Sequence, residues 1–399
     1  MPQFFKIIII LLLFQSSFSQ KKWSLNDCIK YALENNISVK KSKISIQVQQ
    51  ENNVVAKSNK LPSINSTLSQ STNIFFSNLT NNNNHSTNWS ILNTSYTLYN
   101  GAINNNTIRK AVLNKRLSEN NHQLLENSIS INVTNAYLDY LLTNEFIKIA
   151  ENQLVISKSQ LEIITKRITA GLLPEAEVFN SEASVAQDEE TLLLQKNNKK
   201  LSLLRLKRLM QMPVKTVIVI NEYNELQESV FAFNSVEGYF NSAKKNRTEV
   251  SSSELLVEVS KTDIDIAKGN FKPIATLGIT VLIFTGNRNK GLLNISKLNL
   301  ETSELNLEET KFNLRQQIEE MYVDISNVNQ TLKSTDKTLL AREITLKYAQ
   351  KSVKVGRLNN FDFDKIKNDY IMAKANYARA KFNYFFKNKI LHLYTLGKF

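Results

Sequence analysis

The chain has 399 residues, 50 Lys and Arg against 36 Asp and Glu, and a formal charge of +14, with 42% hydrophobic and 9% aromatic residues. Nine glycines and five prolines are few for this length, which argues against an all-β or α/β chain and for long helices. Lys and Arg are scattered singly with no nucleic-acid motif, so no nucleic-acid partner is expected, and the single Cys28 excludes an intramolecular disulfide.

Residues 1–19 have the pattern of a secretory leader. Lys6 supplies the charge, Ile7 to Phe14 the apolar run, and Ser17-Phe18-Ser19 the small-x-small cleavage signal. A helix is expected over Leu25–Ala56. Two strands follow, Ile64–Phe76 and Trp89–Tyr99, joined by a polar loop Ser77–Asn88 that holds Asn81 to Asn84. Each strand reaches the roughly 9 to 11 residues that a tilted membrane strand needs. Phe75, Phe76, Trp89 and Tyr99 suit the membrane interfaces; an ordinary soluble hairpin is the alternative. From Ala102 to Ile168 there is no Gly or Pro, and apolar residues recur at threes and fours from Ile108 to Ile149. A continuous helix of that length would extend about 100 Å and needs partners along all of it. Gly171-Leu172-Leu173-Pro174 ends it, with Gly171 suited to the C-terminal cap and Pro174 to the first turn of the next helix, Glu175–Gln211. A helix over Val236–Lys268, a short apolar segment after Pro273, a second long periodic stretch from Ile295 to Leu339, a turn at Gly356 and a helix Asp362–Leu396 complete the chain.

The second half repeats the first in order. Ala56 to Pro62 pairs with Ala267 to Pro273, Leu98-Tyr99-Asn100-Gly101 with Ile283-Phe284-Thr285-Gly286, and Ala136-Tyr137-Leu138-Asp139 with Met321-Tyr322-Val323-Asp324. The run Arg167 to Gly171 pairs with the run closed by Lys354-Val355-Gly356. The interval from Gly101 to Gly171 equals that from Gly286 to Gly356. The expected organisation is therefore a leader over 1–19, a first repeat over 20–235 (β-hairpin 63–100, helix turn 169–175) and a second over 236–399 (β segment 274–285, helix turn 355–361).

These features resemble the TolC family of outer-membrane efflux and secretion channels. Trp23 to Asn36 is similar to the family's N-terminal helix signature, and Asn246-Arg247-Thr248-Glu249 to the matching start of the second repeat. The resemblance covers roughly residues 23–397. It implies a mainly α fold with a small β part, in which long antiparallel helix hairpins form an α-barrel tunnel and outer-membrane β-strands a shared barrel. It further implies a homotrimer in outer-membrane lipid, with helices reaching into the periplasm, joined to a periplasmic adaptor and an inner-membrane transporter. Such a protein is no enzyme and needs no cofactor; accordingly there is no Gly-rich phosphate loop, G-x-S-x-G or H-E-x-x-H here, and His85, His122 and His392 fit no metal spacing. The family narrows its tunnel with acidic residues near the second turn. Asp362 matches the first of these positions; the second falls on Lys365, with Asp364 beside it, and Glu177 is the equivalent in the first repeat. Three Asp362 side chains about a threefold axis would favour cations. Asp362 is equally suited to capping the helix after Gly356.

The halves differ at the strands. The interval from Pro62 to Gly101 is three times that from Pro273 to Gly286. The shorter segment is expected to form one strand or a turn between helices, so the second hairpin is truncated. A trimer would then bring six spanning strands rather than the family's twelve, and about eight already leave only a side-chain-filled interior. Two functions follow: a passive export duct for small molecules or proteins, and a non-conducting periplasmic helical scaffold or family relic.

Overall fold

The computed structural model describes residues 22–74, 83–221, 235–276, 279–280 and 285–396. In order these form β1 (Lys22–Trp23), α1 (Leu25–Asn35), α2 (Ile37–Ser58), β2 (Ser63–Ile74), β3 (Asn83–Ser95), β4 (Tyr99–Asn100), α3 (Ile103–Thr169) and α4 (Ala176–Leu209). Then come β5 (Val219–Ile220), α5 (Val236–Asn246), α6 (Thr248–Gly269), β6 (Ile274–Ala275), β7 (Ile279–Thr280), α7 (Arg288–Lys354) and α8 (Asn360–Leu396). The leader at 1–19, Phe75, Phe76, residues 77–82 of the expected loop, and Ile283 and Phe284 lie outside the described residues.

The long helices α3 and α7 are each 67 residues. Both begin after a left-handed glycine, Gly101 (φ +66) or Gly286 (φ +60), and both end before another, Gly171 (φ +70) or Gly356 (φ +76). The start, the end and both glycines of α7 are all displaced from their counterparts in α3 by one and the same interval along the chain. The repeat is thus one of three-dimensional structure as well as of sequence.

The helices expected as continuous over Leu25–Ala56 and Val236–Lys268 are each broken once. Asn36 leaves the helical region (φ −63, ψ 125), while its N–H still bonds Ala32 O at 2.8 Å. The freed N–H of Ile37 is accepted by Gln211 Oε1 at 2.9 Å. Arg247 does the same (φ −82, ψ 124), its N–H bonding Ala243 O at 2.8 Å. The resemblance motifs at Asn35-Asn36 and Asn246-Arg247 therefore mark kinks inside helical hairpin arms. Hydrophobic period cannot reveal such a one-residue step, because the apolar face resumes beyond it.

The strands also differ from expectation. β2 pairs antiparallel with β3 from Ser63↔Ser95 to Ile74↔Asn83, with one irregularity between Asn65 and Thr67. The second strand starts at Asn83 rather than Trp89, within the polar stretch read as loop; strand pairing uses backbone groups and tolerates polar side chains. Of the segment after Pro273, the described residues include two short strands. Its β6 and β7 pair with each other through Ile274↔Thr280 and Ala275↔Ile279, and β6 pairs with β4 through Tyr99↔Ala275.

The described residues pack as two units, those within 22–37, 126–239 and 318–396 in one and those within 38–125 and 240–317 in the other. The first has an apolar core of Cys28, Val133, Tyr137, Leu206, Met210 and Phe385 among others, from α1, α3, α4 and α8. The Tyr137 hydroxyl donates to Asn221 O at 2.9 Å beside the parallel β1–β5 pair. Buried Lys207 donates to Val214 O and Thr216 O and so satisfies the loop after α4.

The second unit is joined more by polar rungs. Ser42 and His122 link α2 to α3 at 2.7 Å, Lys110 and Asp263 link α3 to α6 at 2.6 Å, and Ser260 and Ser303 link α6 to α7 at 2.8 Å. At its strand-bearing end the helix termini converge. Asn104 Nδ2 donates to Asn59 O at 3.0 Å, which satisfies a carbonyl after α2. Asn289 Nδ2 donates to Asn270 O at 2.8 Å and does the same after α6. Gly101 packs on Gly269 so closely that a Cβ at 101 would lie 2.4 Å from Gly269 O.

Candidate functional site: the paired helix turns

Both helix turns, 169–175 and 355–361, lie in the first unit and share one geometry. Gly171 N–H bonds Ile168 O at 2.8 Å and Leu172 N–H bonds Arg167 O at 2.9 Å. Gly356 N–H bonds Val353 O at 3.0 Å and Arg357 N–H bonds Ser352 O at 2.9 Å. Each is a Schellman motif, whose left-handed position favours glycine. Pro174 sits just before α4 rather than inside its first turn, and its carbonyl accepts from Glu177 N–H at 3.2 Å.

The two turns are tied together by side chains that the sequence did not single out. Gln160 Nε2 donates to Asn360 Oδ1 at 3.3 Å, and Asn360 Nδ2 donates to Ser181 Oγ at 3.1 Å, so Asn360 connects α8 to both α3 and α4. The Arg167 guanidinium lies over the second turn; a Cβ at position 356 would be 2.9 Å from its Nη2. Between the turns is a cavity of about 470 Å³ lined by Arg167, Pro174, Glu177, Asn359, Phe361 and Asp364, with others.

The acidic residues divide in consequence. Glu177 and Asp364 line this cavity. Asp362 is exposed in the first turn of α8, where its N–H bonds Asn359 Oδ1 at 2.8 Å and its Oδ2 accepts from Asn359 Nδ2 at 2.9 Å. The cap is therefore Asn359, and Asp362 is its partner at a position where the helix dipole favours a carboxylate. Lys365 is exposed. Of the junction residues, Gly101 and Gly286 take the left-handed conformation before α3 and α7, and Pro62 and Pro273 stand directly before β2 and β6.

Behind the cavity lies a buried charge cluster. Lys367 is 1% exposed. Its ammonium reaches Ser157 Oγ at 2.8 Å, Ser184 Oγ at 3.0 Å, Asp188 Oδ2 at 3.2 Å and Asp364 Oδ1 at 3.1 Å. Asp188 also accepts from Gln153 Nε2 at 2.6 Å and from Ser157. Phe363, 1% exposed, packs beside this cluster with Ile156, Leu346, Val353 and Tyr370. The turns themselves leave apolar side chains in water: Leu172 is 66% exposed, Val355 68% and Phe361 78%. All three lie within the two turns.

Among the described residues no group of His, Cys, Asp and Glu is arranged to hold a metal ion, and no helix is long and apolar enough to cross a membrane.

The fold is similar to that of CusC, a protein described by transmembrane channel formation, at 16% identity and TM-score 0.79, covering 94% of this chain and 95% of that one. It is similar to the outer membrane protein VceC of Vibrio cholerae at 15% identity and TM-score 0.75, covering 93% and 96%. For the CmeC outer membrane channel of Campylobacter jejuni the values are 17%, 0.75, 94% and 86%. No curated protein sequence matches. A family model described as outer membrane efflux protein matches residues 28–210 and 274–385, most of both repeats. The chain belongs to the outer membrane efflux protein family, a family of transport ducts rather than of enzymes.

Proposed function

We propose that this protein is the outer-membrane subunit of a tripartite efflux or type I secretion system, working as a homotrimer and as a passive duct. The observation that carries this is the pair of equivalent Schellman turns with exposed Leu172, Val355 and Phe361, on a chain whose family is that of outer-membrane efflux proteins. A periplasmic adaptor, itself bound to an inner-membrane transporter, docks on those turns. β2 and β3, with 12 and 13 residues, enter the outer membrane. At about 3.3 Å per residue and 45° tilt they cover about 28 Å, close to the roughly 30 Å hydrocarbon layer. Asp362 and Glu177 contribute to an acidic narrowing of the duct; Asp364, engaged by Lys367, contributes less.

The short interval from Pro273 to Gly286 favours a second reading, in which the helical part persists and the pore does not conduct. One set of cells separates the two. Cys28 is fully buried in an apolar core, so Cys28→Ala is the mild replacement. With Asn83→Cys added, a membrane-impermeant thiol reagent labels intact cells if the hairpin spans. Labelling only after rupture of the outer membrane removes the duct reading. Single-channel recording of the purified oligomer then decides conduction.

A further inference from the structure

The acids of this chain are unevenly placed. No Asp or Glu occurs from residue 52 to 118 or from 266 to 300. These two segments make up about a quarter of the chain, and an even spread of the 36 acids would give them a like share. Bases do not thin out in parallel: Lys57, Lys60, Arg109, Lys110, Lys115 and Arg116 lie in the first segment, and Lys268, Lys272, Arg288, Lys290 and Lys297 in the second. These positive charges make up most of the net +14; three of them, Lys110, Lys115 and Lys268, pair with Asp263, Glu119 and Asp265 just outside the segments, and no acid within the segments opposes the rest.

The fold gathers them. Both segments belong to the same packed unit. The stretches between Lys60 and Arg109 and between Lys272 and Arg288 have no charged residue and contain β2, β3, β4, β6 and β7. The bases therefore stand on the helix ends that flank the strands. Those ends are held together by Asn104 on Asn59 O, Asn289 on Asn270 O, the Gly101–Gly269 approach and the β4–β6 pair. Lys60, Lys272, Arg288 and Lys290 are exposed and have no ion-pair partner among the described residues. Over the strands both signs are missing, as a membrane segment that avoids charge requires; on the flanking stretches 52–60, 109–118, 266–272 and 288–300 only the acids are missing.

We propose that this collar binds the anionic phosphate headgroups of the lipid surface into which the strands enter. It rests on the membrane placement of β2 and β3 given above. Each Lys or Arg near an anionic lipid surface is worth about fivefold in partition, and three copies in a trimer would set the collar around the whole entry ring.

The test uses the full chain in vesicles of phosphatidylcholine and phosphatidylglycerol mixed in a known ratio. Lipid retained by the protein on gentle extraction is quantified by mass spectrometry, and protection of a thiol placed by Asn83→Cys reports insertion separately. Wild type is expected to enrich phosphatidylglycerol about fivefold or more over the bulk, with the enrichment collapsing as salt shortens the Debye length from about 30 to about 3 Å. Lys60→Gln/Lys272→Gln/Arg288→Gln/Lys290→Gln is expected to insert and retain lipid at the bulk ratio. Lys40→Gln/Lys41→Gln/Lys244→Gln/Lys245→Gln removes the same charge from exposed sites elsewhere in that unit and is expected to keep the enrichment. Wild-type lipid at the bulk ratio, or equal loss in both variants, overturns the collar. Absence of insertion overturns the membrane placement and the collar with it.

Discussion

Asp188→Ala is the most informative single change. Lys367 has three N–H donors and four acceptors within 3.2 Å, so its charge is fully solvated by protein. Side-chain exposure is 2% for Lys367 and 5% for Asp188. Removing one member of a buried pair costs about 3–5 kcal/mol, because the remaining charge is stranded. Asp364, with 28% side-chain exposure, still faces the ammonium, which places the expected loss near the lower end, about 3 kcal/mol. Lys367→Met should cost less, since Asp188 keeps Gln153 and Ser157. The double variant Asp188→Leu/Lys367→Met should recover to within about 1 kcal/mol of wild type, as buried pairs replaced by apolar residues of similar size often do. The assay is guanidinium unfolding in detergent followed by helical circular dichroism, analysed as a double-mutant cycle. A loss below about 1 kcal/mol for Asp188→Ala, or a coupling within the roughly 0.5 kcal/mol seen for independent sites, would refute the claim that this pair anchors α8 to α3 and α4.

Gly356→Ala should destabilise more than Gly171→Ala: both carry the left-handed penalty of about 1–2 kcal/mol, but only position 356 presses on Arg167 while 171 faces open space, and thermal melts of the two compare them directly. Gly101→Ala should prevent stable folding, since its Cβ meets backbone oxygen at 2.4 Å in a left-handed position, and Gly269→Ala, whose Cβ would meet Ile103 Cγ1 at 2.5 Å and Gly101 O at 3.0 Å, should also destabilise but less, since it carries no left-handed penalty; yield and protease resistance separate them. Asn359→Ala should cost about 1 kcal/mol by loss of the cap of α8, measured by denaturation. Leu172→Ser/Phe361→Ser should leave stability unchanged and abolish capture of the adaptor in cells, read by cross-linking.

The large plan was legible because it is periodic and punctuated. Glycines at matched intervals, with no breaker between Ala102 and Ile168, left few alternatives to two matched long helices, and the positive φ at each glycine explains why that residue stands there. What stayed illegible depends on tertiary partners. Lys367 and Asp188 stand nearly half the chain apart among 50 Lys and Arg, and nothing local marks one lysine as the buried one. Asn104 and Asn289 look like members of an Asn-rich background until their carbonyl partners are placed. The kinks at Asn36 and Arg247 left the apolar rhythm intact, so periodicity passed over them. The uneven placement of the acids, by contrast, is visible in the sequence once both signs of charge are followed along the chain.

The equal span of α3 and α7 has a consequence for how this protein can change. Deleting one residue from an α-helix turns everything beyond it by about 100° and draws it back by about 1.5 Å. A deletion in α3 alone would swing Arg167 and Gln160 away from the second turn and separate Gly171 from Gly356. Viable length variants should therefore arise as coupled events, equal insertions or deletions in both halves. Steps of about seven residues, close to two full turns, are the smallest that keep each helix's apolar stripe in phase. Such a protein can be lengthened or shortened only as a telescope is, both tubes by the same notch.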